Sequence, residues 1–206
     1  DFRTGGGVTR PGNDNISCAT LIGSAGTIDV CETGSTTGNN VNATTEEVCG
    51  VDEPREDNGR TVWYKFVAGG TIGTNLKIKV INNGGNNMTP DISLFKQVTA
   101  PGTCPALYGF GGGLSLVAED NGTYLTDNDA EVNISSCNNA YQAGATYYLQ
   151  IEDEGNTLLV GYDDGDFRIE WTDNGKRDGA NDICSAVDLT ATVPAASGAC
   201  SYGSNG

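Results

Sequence analysis

Histidine is missing from all 206 residues, and that absence removes more chemistry than any other feature of the composition. Ser-His-Asp and Cys-His nucleophilic schemes need an imidazole as base, and histidine-bearing metal centres need it as a ligand. The cysteines, at positions 18, 31, 49, 104, 137, 184 and 200, include no Cys-x-x-Cys pair, so zinc-site spacing is absent as well. Basic residues are scarce, with 11 Lys and Arg against 27 Asp and Glu, a formal charge of −16. Such a surface repels nucleic acid and anionic lipid, so neither is expected as a partner. No apolar run approaches the roughly 18 residues that cross a bilayer, so membrane insertion is not expected. Asp1 opens no signal peptide, which makes a mature or excised segment the expectation. Paired carboxylates could hydrolyse glycosides, but nothing in the sequence picks out two acids with opposed environments, so a non-catalytic role is expected.

Helix signals are almost as scarce. The chain holds one methionine and 30 scattered glycines, and no long stretch repeats apolar residues every 3.6 positions. What it has instead is alternation. Strands are predicted at Thr61 to Val67, Leu76 to Val80, Asp91 to Phe95, Leu114 to Glu119, Glu131 to Ser135, Thr146 to Glu152 and Asp166 to Thr172. Turn signals separate them, including Asp57-Asn58-Gly59, Asn83-Gly84, Asp120-Asn121-Gly122 and Asp173-Asn174-Gly175. Short strands with regular turns predict an all-β fold, an antiparallel, jelly-roll-like β-sandwich of about 8 or 9 strands. One helical turn is expected at Asn15 to Thr20, capped by Asp14.

Widely spaced cysteines among Gly, Asn and Thr loops suit disulfides formed in an oxidising compartment, so an extracellular or bacterial cell-surface location is expected. The expected pairs are Cys31 with Cys49 and Cys104 with Cys137, which leaves Cys18, Cys184 and Cys200 for contacts between modules.

The two ends of the chain repeat one another. Asn13-Asp14-Asn15-Ile16-Ser17-Cys18-Ala19 resembles Asn181-Asp182-Ile183-Cys184-Ser185-Ala186, and Cys31-Glu32-Thr33-Gly34-Ser35 resembles Cys200-Ser201-Tyr202-Gly203-Ser204. Asp1-Phe2-Arg3 likewise matches Asp166-Phe167-Arg168. The three matches keep the same order at a spacing of about 167 residues, the mark of a module repeated along a chain. The boundaries that follow are the tail of a preceding repeat at 1–12, one module at 13–172, a linker at 173–180, and the opening strands of a next repeat at 181–206. Residues 181–206 could alternatively be donated to a neighbouring subunit, since a lone hairpin is marginal in water. Either way the expected partner is a copy of the same module, head to tail.

Val62-Trp63-Tyr64-Lys65-Phe66, Asp91-Ile92-Ser93-Leu94-Phe95, Leu116 to Asn121, Ala143 to Ile151 and Gly165 to Ile169 together resemble bacterial pre-peptidase C-terminal β-sandwich domains. The opening Asn13-Asp14-Asn15 with its nearby cysteine is similar to the start of such domains in tandem-repeat surface proteins. The resemblance implies a secreted or surface-exposed accessory domain that serves as spacer or adhesive module and is not itself an enzyme. Thr123 to Asn139 and Gly109 to Gly113 look like insertions relative to that family.

Hard oxygen donors in one loop suit calcium, which makes calcium the candidate ion and Asp91, Glu119, Asp120, Asn121, Asp127 and Asp129 its candidate ligands, with Asn128 beside them. Asp163, Asp164 and Asp166 form a second acidic group. Sequons fall at Asn15, Asn42, Asn87, Asn121 and Asn133, with Thr36-Thr37 and Thr44-Thr45 as O-linked alternatives in solvated loops. A glycan partner would meet aromatics near Gly-rich loops, and Tyr108, Phe110, Tyr124 and Tyr141 are the candidates.

Overall fold

The computed structural model describes residues 9–29, 31–44, 60–70, 75–83, 88–98, 113–121, 129–135, 141–153 and 164–173, and the structural statements below concern these. They form ten strands and one 3-10 turn, Ile16–Cys18. The strands are β1 (Thr20–Leu21), β2 (Thr27–Ile28), β3 (Thr33–Asn39), β4 (Val62–Ala68), β5 (Asn75–Asn82), β6 (Pro90–Gln97), β7 (Leu114–Asn121), β8 (Asp129–Ser135), β9 (Thr146–Asp153) and β10 (Asp166–Asp173). Two sheets result. Sheet A runs β1-β4-β9-β6-β7, with β2 beside β1 on the same edge of β4, and sheet B runs β3-β10-β5-β8.

Alternation decides which side chains meet between the sheets. Val62, Tyr64 and Phe66 of β4 and Tyr147, Leu149 and Ile151 of β9 face Leu76, Ile78 and Val80 of β5 and Phe167, Ile169 and Trp171 of β10 in one buried cluster. Phe66 and Tyr147 stack at 5.3 Å, and each fully buried side chain of this size stabilises the fold by roughly 1.5–3 kcal/mol. The sandwich expected from the sequence is thus the fold.

Three expectations need correction. Pairing is not wholly antiparallel, because β1 and β2 both run parallel to β4. They are two pieces of one edge strand, split where the chain detours through Gly23 and Gly26 at φ of 83° and 84°. Thr36 and Thr37 lie in β3 rather than in a loop, paired with Ile169 and Arg168. The expected cap is displaced by one residue, since Asn15 caps the turn by accepting from the Ser17 amide at 2.9 Å. The strand expected at Glu131 to Ser135 is β8, and it supplies Ala130, Val132 and Ile134 to the core.

Glycine explains why β3 escaped the strand pattern. Its inward positions include Gly34 and Gly38, directly opposite Trp171 and Phe167 of β10. A Cβ on Gly34 would collide with Trp171 Cζ2, and one on Gly38 with the Tyr64 hydroxyl and the Phe167 ring. The large aromatics of the neighbouring strands fill the space the glycines leave, a device that rescues glycine in sheet edges.

Candidate functional site

The sequence repeat has a structural counterpart at Asn13 and Asp14. Asn13 is buried, and it clasps the start of β4: its Nδ2 donates to the Trp63 carbonyl at 2.9 Å, and its own carbonyl accepts from the Trp63 amide at 2.9 Å. Asp14 gathers the neighbouring loop, accepting from the Thr44 amide at 2.5 Å and from the Thr44 hydroxyl at 3.0 Å, with Arg10 Nη1 at 3.6 Å. Beyond the clasp, Ile16 and Ala19 of the turn and its end pack on Trp63, Phe95, Leu114 and Tyr148. This cluster covers the face of sheet A that points away from the main core.

The clasp sits at one pole of the sandwich. There Asn40 ties the end of β3 to its neighbours, donating through Nδ2 to the Arg60 carbonyl at 3.1 Å and accepting at Oδ1 from the Gly165 amide at 2.8 Å. The starts of β4 and β10 are therefore side by side, and Arg60 pairs with Asp164 across them. At the opposite pole β10 ends, where the Asp173 amide donates to the Glu32 carbonyl at 2.8 Å. The Glu32 carboxylate is itself held by the Ser24 amide at 3.0 Å, the Ser24 hydroxyl at 3.1 Å and the Asp29 amide at 3.0 Å. The Gly69 amide, just past β4, bonds the Ile28 carbonyl at 2.7 Å at this same end. The described chain thus meets the sandwich at one pole and leaves β10 at the other.

The described candidate calcium ligands lie on β6, β7 and β8. Asp120 Oδ2 accepts from the Glu131 amide at 2.6 Å, Asp129 pairs with Lys79 on sheet B, and Asp91 is buried on β6 beside Glu152 of β9. Glu119 lies opposite Ser93, Asn121 opposite Asp91, and Asp127 and Asn128 fall outside the described residues. Among the described residues no group of three or more Cys, Asp or Glu side chains is placed to hold a metal ion. In the second acidic group, Asp164 is spent on Arg60 and on the Asn42 amide at 3.2 Å, Asp166 opens β10, and Asp163 is outside the described residues.

Cys31 is disulfide-bonded, and Cys18 is free and exposed. Cys49, Cys104, Cys137, Cys184 and Cys200 lie outside the described residues, as do Asn87, Tyr108, Phe110 and Tyr124. Of the sequons, Asn15 is exposed at its cap, Asn42 takes a left-handed φ of 60°, and Asn133 donates to Glu131 at 3.0 Å on the outer side of β8. Tyr141 is no sugar platform, because it is buried, stacks on Tyr147 at 6.4 Å and donates its hydroxyl to the Gly69 carbonyl. Burial likewise raises the Tyr64, Tyr147 and Tyr148 phenols above their ordinary value of 10.0.

No protein-family model matches the chain, and no curated protein matches it by sequence. Among solved structures it is similar to the pre-peptidase C-terminal domain of a collagenase from Bacillus anthracis, with 16% identity and a TM-score of 0.35, over 70% of this chain and 91% of that one. A TM-score of that size leaves the fold assignment resting on the strand pairing described above.

Proposed function

We propose that this chain is a structural module of an extracellular, repetitive protein, joined head to tail into a fibre or surface stalk and working by contact rather than by catalysis. The observation that carries the reading is polarity. The Asn13-Asp14 clasp and the end of β10 lie at opposite poles, so modules in series extend along one axis instead of folding back. The repeat supports it from the other side. Asn181-Asp182 reproduces the two residues that make the clasp. Residues 174–180, between the end of β10 and that copy, are too few for a separate domain and read as a joint between two like units. Secretion is supported by the disulfide at Cys31, and Cys18 is exposed where a bridge to a neighbour needs it.

The test is the mass of the natural polypeptide under reducing, denaturing conditions, with negative-stain imaging of the undenatured material. Fibres made from a chain far larger than one module mean a covalent array, and fibres from a chain of 21.3 kDa mean exchange of terminal strands between subunits. Single particles with no fibres contradict the proposal.

A further inference from the structure

Among the described residues each sheet has two edges, and all but one of these edges are blunted. β1 and β2 are short pieces of one edge, broken by the detour through Gly23 and Gly26. β7 brings Glu119 and Asp120 to its edge, and on β8 the Glu131 amide is already taken by the Asp120 carboxylate at 2.6 Å. Interruption, charge and occupied amides are how sheets avoid unwanted pairing. β3 has none of them. Thr33-Gly34-Ser35-Thr36-Thr37-Gly38-Asn39 carries no charge and no proline, pairs with β10 along its whole length without a register shift, and borders an open groove of about 400 Å³ toward the β1 edge. Just beyond its two ends the Glu32 carbonyl accepts from the Asp173 amide and the Asn40 amide donates to the Gly165 carbonyl. Because the ladder alternates, even-numbered residues of β3 bond to β10, whereas Thr33, Ser35, Thr37 and Asn39 turn their backbone groups to the open side.

We propose that β3 is where two copies of this chain pair, antiparallel about a two-fold axis through Thr36, so that their B sheets become one. The strand itself selects a second copy as the occupant, because it reads nearly the same in both directions. The two-fold sets Thr36 against Thr36, Ser35 against Thr37, Gly34 against Gly38 and Thr33 against Asn39, and each pair has both side chains on one face. Ser35 with Thr37 and Thr33 with Asn39 then exchange hydrogen bonds through the backbone groups that β10 leaves open. A slip of one residue would put those groups out of phase and turn inward positions outward. Charge agrees with this occupant. A chain at −16 repels its copies, yet β3 brings no charge to the contact. One strand further out, each outer row runs Glu170, Ser35, then Thr37 and Arg168 of the second copy, so unlike charges end the row. Leu21, 58% exposed, lines the same open groove and adds apolar surface beside the pairing edge.

This contact uses none of the Asn13-Asp14 clasp, so dimers without fibres and fibres without dimers would separate it from the head-to-tail reading. The test is sedimentation equilibrium of the 206-residue chain with Cys18→Ser, which removes the free thiol. A monomer–dimer equilibrium with a dissociation constant of about 100 μM or tighter is expected, in the range of small transient interfaces. Hydrogen exchange at the Thr33, Ser35, Thr37 and Asn39 amides slows as the dimer fills. Ser35→Pro removes an amide that faces the open edge, where a strand tolerates proline, so the monomer keeps its near-UV circular dichroism and pairing weakens at least about tenfold. Thr36→Cys reads the register without asking more of the fold. Its two copies stand about 4.5 Å apart between Cα atoms and link by a disulfide on mild oxidation, whereas Ser35→Cys, offset from its own copy by two residues, links at least about tenfold more slowly. A monomer at every concentration, a dimer that Ser35→Pro leaves intact, or equal cross-linking by Thr36→Cys and Ser35→Cys would overturn the assignment.

Discussion

The outer faces of the two sheets are built to opposite rules. Sheet A turns Trp63, Phe95 and Tyr148 away from the main core, and the segment after the Asn13-Asp14 clasp folds over them. Sheet B turns outward Lys77, Lys79, Glu131, Asp129, Arg168 and Glu170, joined in pairs such as Lys77 to Glu131 at 2.8 Å and Arg168 to Glu170 at 2.9 Å. One face needs a cover and the other needs only water. The difference teaches that residues 13–19 are as much part of the sandwich as any strand.

The sharpest break of this contrast is Trp63→Ala, which empties a fully buried site and costs about 3–5 kcal/mol, read as a lower denaturant midpoint. Glu170→Ala on the outer face of sheet B changes stability by less than about 0.5 kcal/mol in the same experiment. Equal losses at the two sites would erase the distinction. Asn13→Ala removes a buried amide from the Trp63 carbonyl, and about 1–3 kcal/mol is expected, with faster hydrogen exchange at the Trp63 to Lys65 amides than elsewhere in β4. Gly34→Ala sets a Cβ against the Trp171 ring and costs about 1–3 kcal/mol, with a change in indole fluorescence that reports the displaced ring.

The smallest effect belongs to the charged face. Lys77→Ala costs about 0.2–1 kcal/mol and loses most of that difference in high salt. The hydrogen bond from Lys77 holds the Glu131 carboxyl below its ordinary value of 4.5. A depressed carboxyl stabilises the fold above the unfolded value and loses that contribution as pH falls through the folded one. The gap between parent and Lys77→Ala therefore narrows below about pH 4.5 in acid titrations of stability.

Seven strands were legible because their alternation is carried by large apolar residues, as in Val62, Tyr64 and Phe66 of β4 or Phe167, Ile169 and Trp171 of β10. β3 was not, because Gly34 and Gly38 hold its inward positions and the hydrophobic mass belongs to the partner strand. β1 and β2 were hidden for another reason: two residues each carry no period, and they exist only as parallel additions to β4. The clasp was visible as a repeated Asn-Asp, but not its action, since Trp63 and Thr44 are remote in sequence. Acid spacing along the chain suggested a calcium loop, but the pairing of Asp129 with Lys79 had no sequence signal because Lys79 lies on a strand remote in the chain.

The central claim is that modules run head to tail along the axis joining the two poles, and the axial repeat of the natural assembly measured by electron cryomicroscopy tests it most directly. An eight-residue strand such as β10 spans about 27 Å at roughly 3.4 Å per residue. Fully stretched, residues 174–180, the part of the 173–180 linker beyond β10, add at most about 25 Å. A fibre with one module per repeat and a rise between about 27 and 52 Å is the predicted result. Lone modules, or modules packed side by side with both poles free, would contradict it.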